Sequence, residues 1–401
     1  MRPAVLFVMV TIMIDAMGIG LMVPVMPDLI QETNGGGLSD AAIWGGILTT
    51  TFAVMQFLFG PVIGGLSDRF GRRPVLLISL SVMALDYVVM ALAGSIWLLF
   101  VGRVVGGITA ATQSTASAYM ADISAPTERT KNFGLIGAAF GAGFVIGPLM
   151  GGVLAEFGTR APLWAAAFLA AANVAFGWFV LTETVSPQTA RAFEWRRANP
   201  FGALKHLGRL PGAHRLLAVY FLYHVAFAVY PSVWSYFGQE RFEWSPSMIG
   251  YSLGVFGVSM ALVQAGGIRL VLRWFGERGT VVVGHLFAIG GYFALAIVTS
   301  GTLALILSPL AALAGTIPPA LQGIMSQQVD DNAQGELQGA LTSAASLAMI
   351  ISPLVMTATF AKFSSPKAAI YMPGAPFALA MVLTALGLVL FLRPGSSKDV
   401  T

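Results

Sequence analysis

The chain of 401 residues has no cysteine, only four histidines and very few charged residues, which make up 10% of it. Without cysteine there can be no disulfide and no thiolate metal site, and four scattered histidines do not suggest a structural metal centre. Soluble domains carry about 25% charged residues. Together with a hydrophobic fraction of 56%, this shortage of charge excludes a soluble globular enzyme and predicts a polytopic membrane protein.

Further absences narrow the function. The sequence shows no nucleophile–base set and no nucleotide-binding loop, and Gly35–Gly37 is expected to be a flexible outer loop, so we predict no enzymatic activity and no cofactor. The net charge of +4 does not indicate nucleic acid, because the cations fall in short loops between apolar runs. The first apolar run, Ala4–Pro27, has the length of a membrane span and not the short apolar core of a cleavable signal peptide.

The long apolar runs predict an all-α integral membrane protein with twelve transmembrane helices. The predicted spans lie near 5–27, 41–63, 75–94, 96–120, 133–156, 162–182, 213–237, 248–272, 280–299, 303–327, 337–362 and 374–393. If the N-terminus is inside, 17 of the 22 Lys and Arg residues are cytoplasmic and four are external. The excess of inner cations therefore predicts cytoplasmic termini in a bacterial-type inner membrane.

The longest polar stretch divides the chain. Residues 183–212 are predicted to be a cytoplasmic linker, with an amphipathic surface helix around Phe193, Trp195, Phe201 and Leu204. The linker would separate an N-terminal six-helix bundle, 1–182, from a C-terminal one, 213–401. A shift of 205 residues places Gly71 on Gly276 and Pro148 on Pro353, so the two bundles are predicted to be pseudo-symmetric repeats.

The loop between the second and third predicted spans is charged and rich in glycine. Its pattern, Gly-x-x-x-Asp-Arg-x-Gly-Arg-Arg, comprises Gly64, Asp68, Arg69, Gly71, Arg72 and Arg73. This loop resembles the hallmark loop of the major facilitator superfamily of secondary transporters. The resemblance implies a conformational latch at this loop, braced by Asp122 and Arg129 at and beyond the inner end of the fourth span.

The fifth span carries small residues at spacings that let two helices touch backbone to backbone. The residues concerned are Gly143, Gly147, Pro148, Gly151 and Gly152. Their Gly-x-x-x-Gly-Pro-x-x-Gly-Gly pattern resembles the antiporter motif of drug-exporting members of the superfamily. Generic close packing of helices is the alternative interpretation.

Three ionisable residues lie inside predicted spans of the N-terminal half: Asp15, Asp86 and Arg103. Such residues are costly in a bilayer and mark functional sites. Asp86 and Arg103 lie at similar depth, roughly 10–12 Å below the outer surface, and are expected to meet. We predict Asp15 and Asp86 as proton carriers with Arg103 modulating one of them; a static Asp86–Arg103 ion pair is the alternative.

Other polar or adaptable residues within the spans are candidates for a substrate cavity, although packing between helices is the commoner role of such residues. They are Met22, Gln56, Gln113, Tyr220, His224, Gln264 and Gln322.

A closer resemblance runs nearly end to end. Met55-Gln56-Phe57, the loop motif, Asp86-Tyr87, Gly102-Arg103, Ala121-Asp122-Ile123 and Gln327-Gln328-Val329-Asp330 are together similar to the tetracycline–proton antiporters. This implies proton-driven efflux of a drug that travels as a magnesium complex, with functional residues at Asp15, Gln56, Asp86 and Arg103. That family has an acid in the ninth span and a histidine in the eighth. In this sequence the corresponding positions hold Ala288 and Met260.

The sequence therefore predicts a proton-coupled efflux transporter of drug-like or amphipathic small molecules, working by alternating access, as a monomer in the bilayer. An importer or uniporter of another metabolite on the same fold, or a non-transporting sensor, are the alternatives.

Overall fold

The computed structural model describes residues 3–110, 112–125, 127–186, 193–194, 214–329 and 333–393, and their regular structure is entirely helical. Lipid offers no hydrogen-bond partners, so a chain of this composition satisfies its backbone within helices. The predicted linker, 183–212, and its amphipathic helix lie largely outside the described residues.

Eight α-helices form the described part of the N-terminal half. They are α1 (Pro3–Met22), α2 (Met26–Asn34), α3 (Leu38–Phe70), α4 (Arg72–Ala91), α5 (Ile96–Thr109), α6 (Thr112–Ile123), α7 (Arg129–Ala155) and α8 (Ala161–Val180). The fourth predicted span is thus divided between α5 and α6.

Eight more α-helices follow in the C-terminal half. They are α9 (His214–Phe227), α10 (Val229–Phe242), α11 (Pro246–Leu262), α12 (Ile268–Ile297), α13 (Gly301–Ala311), α14 (Ile317–Ser326), α15 (Gln334–Ser364) and α16 (Ala375–Leu392). A π-helical turn, Val263–Gly267, joins α11 to α12, and a 3₁₀ segment, Ala312–Thr316, joins α13 to α14.

Eleven helical segments within the described residues are long and apolar enough to cross a membrane. The longest, Pro246–Ile297, has 52 residues and covers two predicted spans. The helix breaks inside it at Gly276, whose φ of 64° lies in the left-handed region that glycine tolerates. The structure is therefore consistent with the twelve predicted spans.

The described residues form two compact units that exchange short segments. Unit 1 comprises Met1–Gly36, Thr51–Pro200 and Ser245–Gly254, and unit 2 comprises Gly37–Thr50, Phe201–Trp244 and Val255–Thr401. The first turns of α11 thus belong to unit 1, and those of α3 to unit 2.

Each exchanged segment is held by direct contacts within its unit. In unit 1, Ser247 donates to the carboxylate of Glu156 at 2.7 Å, and Gly250 lies against the backbone of Gly152. In unit 2, the Thr50 hydroxyl donates to the carbonyl of Ile350 at 2.9 Å. Small residues at these points allow the helix backbones to approach closely.

The 205-residue repeat has structural counterparts. Ser95 caps the N-terminus of α5 by accepting a hydrogen bond from Leu98, and Ser300 caps α13 in the same way through Leu303. Gly71 precedes α4 with a φ of 106°, as Gly276 interrupts α12 with a positive φ. The two halves therefore have a serine helix cap and a glycine with positive φ at equivalent positions.

Candidate functional site

A cavity inside unit 1 brings together five of the residues singled out from the sequence, Asp15, Met22, Gln56, Asp86 and Arg103. Its wall is formed by Ile12, Asp15, Ala16, Ile19, Met22, Phe52, Gln56, Met83, Asp86, Tyr87, Arg103, Gly106, Ala110 and Phe140. The enclosed volume is about 50 Å³, so it can take the polar end of a molecule rather than a whole drug. Apolar walls with a few converging polar groups are typical of ligand sites.

Asp15 projects from the middle of α1. One of its carboxylate oxygens, Oδ1, is buried without a hydrogen-bond partner. Met22 lies two turns along α1 and lines the same cavity, because residues seven apart lie on one face of a helix. Gly18, which lies between them, leaves the space that the hydroxyl of Tyr87 occupies. A buried carboxylate with an unsatisfied oxygen is costly, and this cost requires a functional or structural explanation.

The carboxylate of Asp86 packs against two glycines of α5. A methyl group at Gly102 would come within 2.8 Å of Oδ1, and one at Gly106 within 2.7 Å of Oδ2. Asp86 is only 5% exposed. The two glycines therefore create the space in which this acid lies, a role that the sequence did not reveal.

The ion pair expected between Asp86 and Arg103 is not formed. No nitrogen of Arg103 lies within 4.0 Å of an Asp86 oxygen, although both residues are described and line the cavity. The guanidinium instead donates to the sulfur of Met90 at 2.6 Å, and the sulfur of Met22 lies 3.4 Å away. The ring of Phe52 lies 5.4 Å from the guanidinium carbon. Equal depth alone was therefore insufficient to predict a pair, because the side-chain direction decides which partner is reached.

Gln56 completes the polar wall from α3. Its side-chain amide donates to the carbonyl of Ala110 at 3.4 Å, at the break between α5 and α6.

The side chain of Gln113 lies outside the described residues. Tyr87, which sequence reasoning did not propose as a site residue, contributes its ring from α4; its position next to Asp86 was the available signal.

The remaining cavity candidates lie in unit 2. Tyr220 accepts a hydrogen bond from the amide of Gln322 at 3.5 Å. The ring of His224 packs 4.4 Å from that of Tyr220, and its Nε2 is buried without a partner. Gln264 is exposed on the π-helical turn Val263–Gly267. Such turns occur frequently at functional sites.

A continuous aromatic cluster fills the interior of unit 2 beside these residues. Tyr230 is its centre, with ring centroids 4.9 Å from Phe256, 5.7 Å from Tyr292 and 5.9 Å from Phe377. Ala288, at the position of the expected ninth-span acid, is 3% exposed. Met260, at the expected histidine position, packs its sulfur against Gly315. Both departures are thus accommodated as apolar packing.

The first loop forms a network of charges around Arg72. This guanidinium pairs with Asp68 at 2.5 Å and with Asp122 at 3.3 Å, and donates to the hydroxyl of Ser67 at 2.6 Å. Arg129 is exposed and takes part in no ion pair with the described carboxylates. Of the two residues expected to brace the loop, the structure therefore places only Asp122 in an ion pair with it.

Glu183 is a member of this network that sequence reasoning missed. Its carboxylate accepts the backbone N–H groups of Arg72 at 2.9 Å and Arg73 at 3.2 Å. Gly71 leaves room for the approach, since a methyl group there would overlap the carboxylate. The available signal was an acid directly after the sixth span, at the end that the predicted topology places level with the three arginines of the loop.

The remaining members of the loop motif have simpler surroundings. Arg73 donates to the carbonyl of Trp178 at 3.0 Å, while Arg69 lies over the neighbouring ring of Phe70 at 5.0 Å. Gly64 faces open space. The charge network of this loop is therefore concentrated on Arg72 and its three acidic neighbours.

The glycines of α7 lie directly against the backbone of α1. A methyl group at Gly143, Gly147 or Gly151 would overlap the backbone at Met13, Met17 or Leu21, respectively. Pro148 meets Gly20 of α1, and Gly152 faces Gly250. The motif thus packs two helices at backbone contact, in agreement with the small-residue rule.

The described residues contain no group of three or more His, Asp or Glu side chains that could hold a metal ion. The carboxylates that a cation could contact in the cavity are Asp15 and Asp86, and they do not belong to a metal-binding group.

Comparisons with known proteins give consistent results. The sequence matches the family described as Major Facilitator Superfamily over residues 8–353. It is 40% identical to the tetracycline resistance protein, class C, of Escherichia coli over 90% of this chain and 91% of the relative. Identity to the class B protein of Escherichia coli is 33%, over 100% of both chains.

Solved structures share the architecture. The human organic anion transporter MFSD10 (TETRAN) is similar with a TM-score of 0.71 and 25% identity, over 97% of this chain and 99% of that one. The nucleoside transporter NupG has a TM-score of 0.74 at 12% identity, over 98% of this chain and 100% of that one. The latter likeness concerns the fold alone.

Proposed function

The chain belongs to the Major Facilitator Superfamily and is a multi-pass membrane transporter rather than an enzyme, and we propose that it is a proton-coupled antiporter that exports tetracycline-type, drug-like amphipathic molecules. It would act by alternating access, as a monomer in a bacterial inner membrane with both termini in the cytoplasm. The relatives that support the substrate are tetracycline resistance proteins that align with about nine-tenths or more of this chain.

One observation carries the proposal: two carboxylates, a glutamine and an arginine converge on one cavity of unit 1. Asp15 has an unsatisfied oxygen there, and Asp86 lies in a niche formed by glycines. Carboxylates at membrane depth bind protons readily, because ionisation in an apolar environment is unfavourable. A substrate that carries positive charge, such as a magnesium–drug complex, would displace those protons. This mutual exclusion is the requirement for antiport.

The latch around Arg72 supports the transport cycle. Its carboxylate partners, Asp68 and Asp122, hold together the inner ends of α3 and α6, and Glu183 adds the end of the sixth span. An exporter needs such contacts to form in one state and break in another. Stabilisation of a single state by a few charge-assisted hydrogen bonds is of the order of a few kcal/mol, which suffices to shift a two-state equilibrium.

A uniporter is the second candidate, and Ala288 favours it. The buried alanine takes the place of the acid that the antiporter family has in the ninth span, and the predicted spans of the C-terminal half contain no carboxylate. Downhill exchange without protons would follow if Asp15 and Asp86 remained protonated throughout the cycle.

Reconstituted proteoliposomes distinguish the two candidates. With tetracycline and Mg²⁺ on one side and an imposed pH gradient, the antiporter accumulates the drug against its own gradient, and an ionophore that dissipates the pH gradient abolishes this accumulation. The uniporter equilibrates the drug at the same rate with and without the pH gradient. No flux of tetracycline or of a panel of amphipathic drugs would contradict the export proposal.

A further inference from the structure

Four polar side chains lie fully buried on three helices of unit 1. They are Thr11 of α1, Thr115 and Tyr119 of α6, and Asn173 of α8, and each is at most 1% exposed. Tyr119 belongs to an apolar core cluster at the inner end of unit 1, the end that carries the Arg72 network. Other members of this core cluster include Val5, Ile12, Leu76, Met120 and Leu181. Polar groups in such a core are costly unless they are hydrogen-bonded.

Most of these polar groups have no protein partner. The hydroxyls of Thr115 and Tyr119 and the Nδ2 atom of Asn173 are inaccessible to solvent and form no hydrogen bond with the described residues. The Thr11 hydroxyl donates to Oδ1 of Asn173 at 3.2 Å, and this bond joins α1 to α8. More than nine-tenths of buried polar groups in folded proteins are hydrogen-bonded. Internal water is the usual partner where the protein supplies none, so we expect water molecules between these helices.

Thr115 differs from its neighbour on α6 in the direction of its hydroxyl. A helical threonine ordinarily donates to a backbone carbonyl three or four residues earlier, and Thr112 does so, to Thr109 at 3.2 Å. The Thr115 hydroxyl has no such bond, so it is available to a group from outside α6. Tyr119 follows four residues later on the same helical face. The two hydroxyls therefore form one polar strip along α6.

These groups form a descending series from Asp15 to the inner end of unit 1. At a rise of about 1.5 Å per residue, Asp15 lies roughly 18 Å from the beginning of α1. The next level, roughly 10–12 Å from the same end of the helices, holds Thr11, Thr115 and Asn173. Tyr119 follows at roughly 6 Å from the end of α6. Successive levels are thus about 6 Å apart, the span of two hydrogen bonds through one water molecule.

The cavity that contains Asp15 is contiguous with the core cluster. Ile12 lines the cavity and belongs to the cluster, and Met83 lines the cavity and packs against the cluster. Thr11 lies on the same face of α1 as Asp15, one turn nearer to the inner end. The polar series therefore begins at the cavity and continues into the core.

The other titratable groups of the cavity do not extend this series. Asp86, Tyr87 and Arg103 line the cavity with Asp15. Counted along their own helices, all three lie farther from the inner end than Asp15 does. A polar connection from Asp15 to the inner end is therefore supplied by the buried groups of α1, α6 and α8.

Resting on the proposed function, we propose that Asp15 exchanges its proton with the inner side through a chain of internal water molecules held by Thr11, Asn173, Thr115 and Tyr119. The O–H bond of the protonated Asp15 carboxyl breaks, and its proton passes to the first water molecule. Each water or hydroxyl then accepts one proton and gives up another, so that one proton leaves at the inner end for each one that Asp15 releases. The Asn173 amide holds water and carries no proton itself.

This route separates the proton from the substrate. The proton leaves Asp15 through the interior of unit 1, whereas the substrate leaves through the mouth of the cavity. Tyr119 lies one helical turn before Asp122, which pairs with Arg72. The route therefore ends beside the charge network at the inner end.

Thermal unfolding tests whether the hydroxyls share bound water. Tyr119→Phe and Thr115→Val each remove one hydroxyl and keep the shape of the side chain. Both variants should have a lower Tm, and the double variant should lose less than the sum, because the first substitution already breaks the shared network. Thr112→Val is the matched control, since its hydroxyl bonds within α6, and its effect should simply add to that of Tyr119→Phe. Hydroxyls that are merely unpaired would give the opposite sign, a raised Tm on removal.

Reconstituted vesicles test whether the route carries protons, with tetracycline and Mg²⁺ as the probe. Tyr119→Phe and Asn173→Leu should slow substrate-driven proton movement by about tenfold, a change that one lost hydrogen bond can produce. Downhill exchange of tetracycline without a pH gradient should keep its wild-type rate, because these residues lie outside the cavity wall. The ratio of the proton rates in H₂O and D₂O should rise in Tyr119→Phe, since proton transfer becomes the slowest step. Thr112→Val should match wild type in every rate.

Gel filtration establishes that each variant is folded, and Tyr119→Phe carries the test if Asn173→Leu is not. Wild-type proton movement that Tyr119→Phe leaves unchanged would refute the inference and leave the proposed function standing. A raised Tm for Tyr119→Phe and Thr115→Val would refute it as well. Absence of substrate-driven proton movement in wild type would instead overturn the proposed function, and the role of this route with it.

Discussion

Glu183 accepts a hydrogen bond from the backbone N–H of Arg72 at 2.9 Å, although 111 residues separate them in the chain. The 205-residue repeat places Glu277 at the position equivalent to Arg72 and Gln327 at the position equivalent to Asp122. Gln327 donates to Glu277 at 3.0 Å. The contact between Arg72 and Asp122 therefore has a counterpart in the second half, where the acid stands on the other partner and the two residues form no ion pair. Within the described residues, the ion pairs of this network are therefore found in the first half.

Glu183→Ala should impair transport and lower the Tm of the purified protein, because two backbone N–H groups at the start of α4 lose their acceptor. Glu183→Gln should have a smaller effect, since the amide oxygen still accepts one bond. The exposed neighbour Thr182 provides the control Thr182→Ala. Drug flux in proteoliposomes and thermal unfolding are measured on all three. Wild-type flux in Glu183→Ala would show that this contact is dispensable.

Asp68→Asn should abolish or severely reduce transport while expression stays normal. The substitution removes the charge that pairs with Arg72 at 2.5 Å and keeps the side-chain shape. Asp40→Asn, an exposed acid at the beginning of α3, is the matched control. Efflux from cells is measured against protein amounts in the membrane. Normal efflux from the Asp68→Asn cells would remove the latch hypothesis.

Asp15→Asn should abolish efflux driven by the pH gradient and preserve downhill exchange of substrate. The amide keeps the shape of the carboxyl group but cannot bind and release a proton. The measurement is proton movement in reconstituted vesicles on addition of substrate. If substrate still drives the same proton movement in the variant, Asp15 is not the proton carrier.

Asp86→Asn should leave the protein folded. An ion pair with Arg103 would make this substitution more damaging to folding than Asp15→Asn, because it would leave the arginine buried without its partner. In the structure Arg103 is bonded to Met90 instead. The amide is nearly isosteric with the carboxyl group and fits the niche at Gly102 and Gly106. The fraction eluting as a single species in gel filtration, compared with wild type, measures this directly. Extensive aggregation would restore the ion-pair interpretation.

Gly151→Ala should destabilise the protein, because the added methyl group overlaps the backbone of Leu21 and a backbone cannot move aside as a side chain does. Overpacking of this kind costs about 1–3 kcal/mol. Gly137→Ala and Gly141→Ala are controls in the same helix, where nothing lies within 4 Å of the new methyl group. Thermal unfolding in detergent should show a lower Tm for Gly151→Ala alone; an equal Tm for all three would contradict backbone contact between α1 and α7.

The sequence by itself determined the class of this protein. Apolar runs of span length and scarce charge require helices in a bilayer, because lipid cannot satisfy an exposed backbone. The motif residues predicted the superfamily, and the repeat predicted equivalent turns, which are present at Gly71 and Gly276. The sequence also placed Asp15, Asp86 and Arg103 within spans, and the structure brings all three to one cavity.

Only the tertiary structure decided the partners. Arg103 bonds to Met90 and not to Asp86, Arg72 pairs with Asp122 while Arg129 remains exposed, and Glu183 joins a loop 111 residues away. Each outcome depends on the rotation of one helix about its axis relative to another and on the direction of a long side chain. Neither quantity is encoded in local periodicity, because both are fixed by the packing of helices that are distant in the chain.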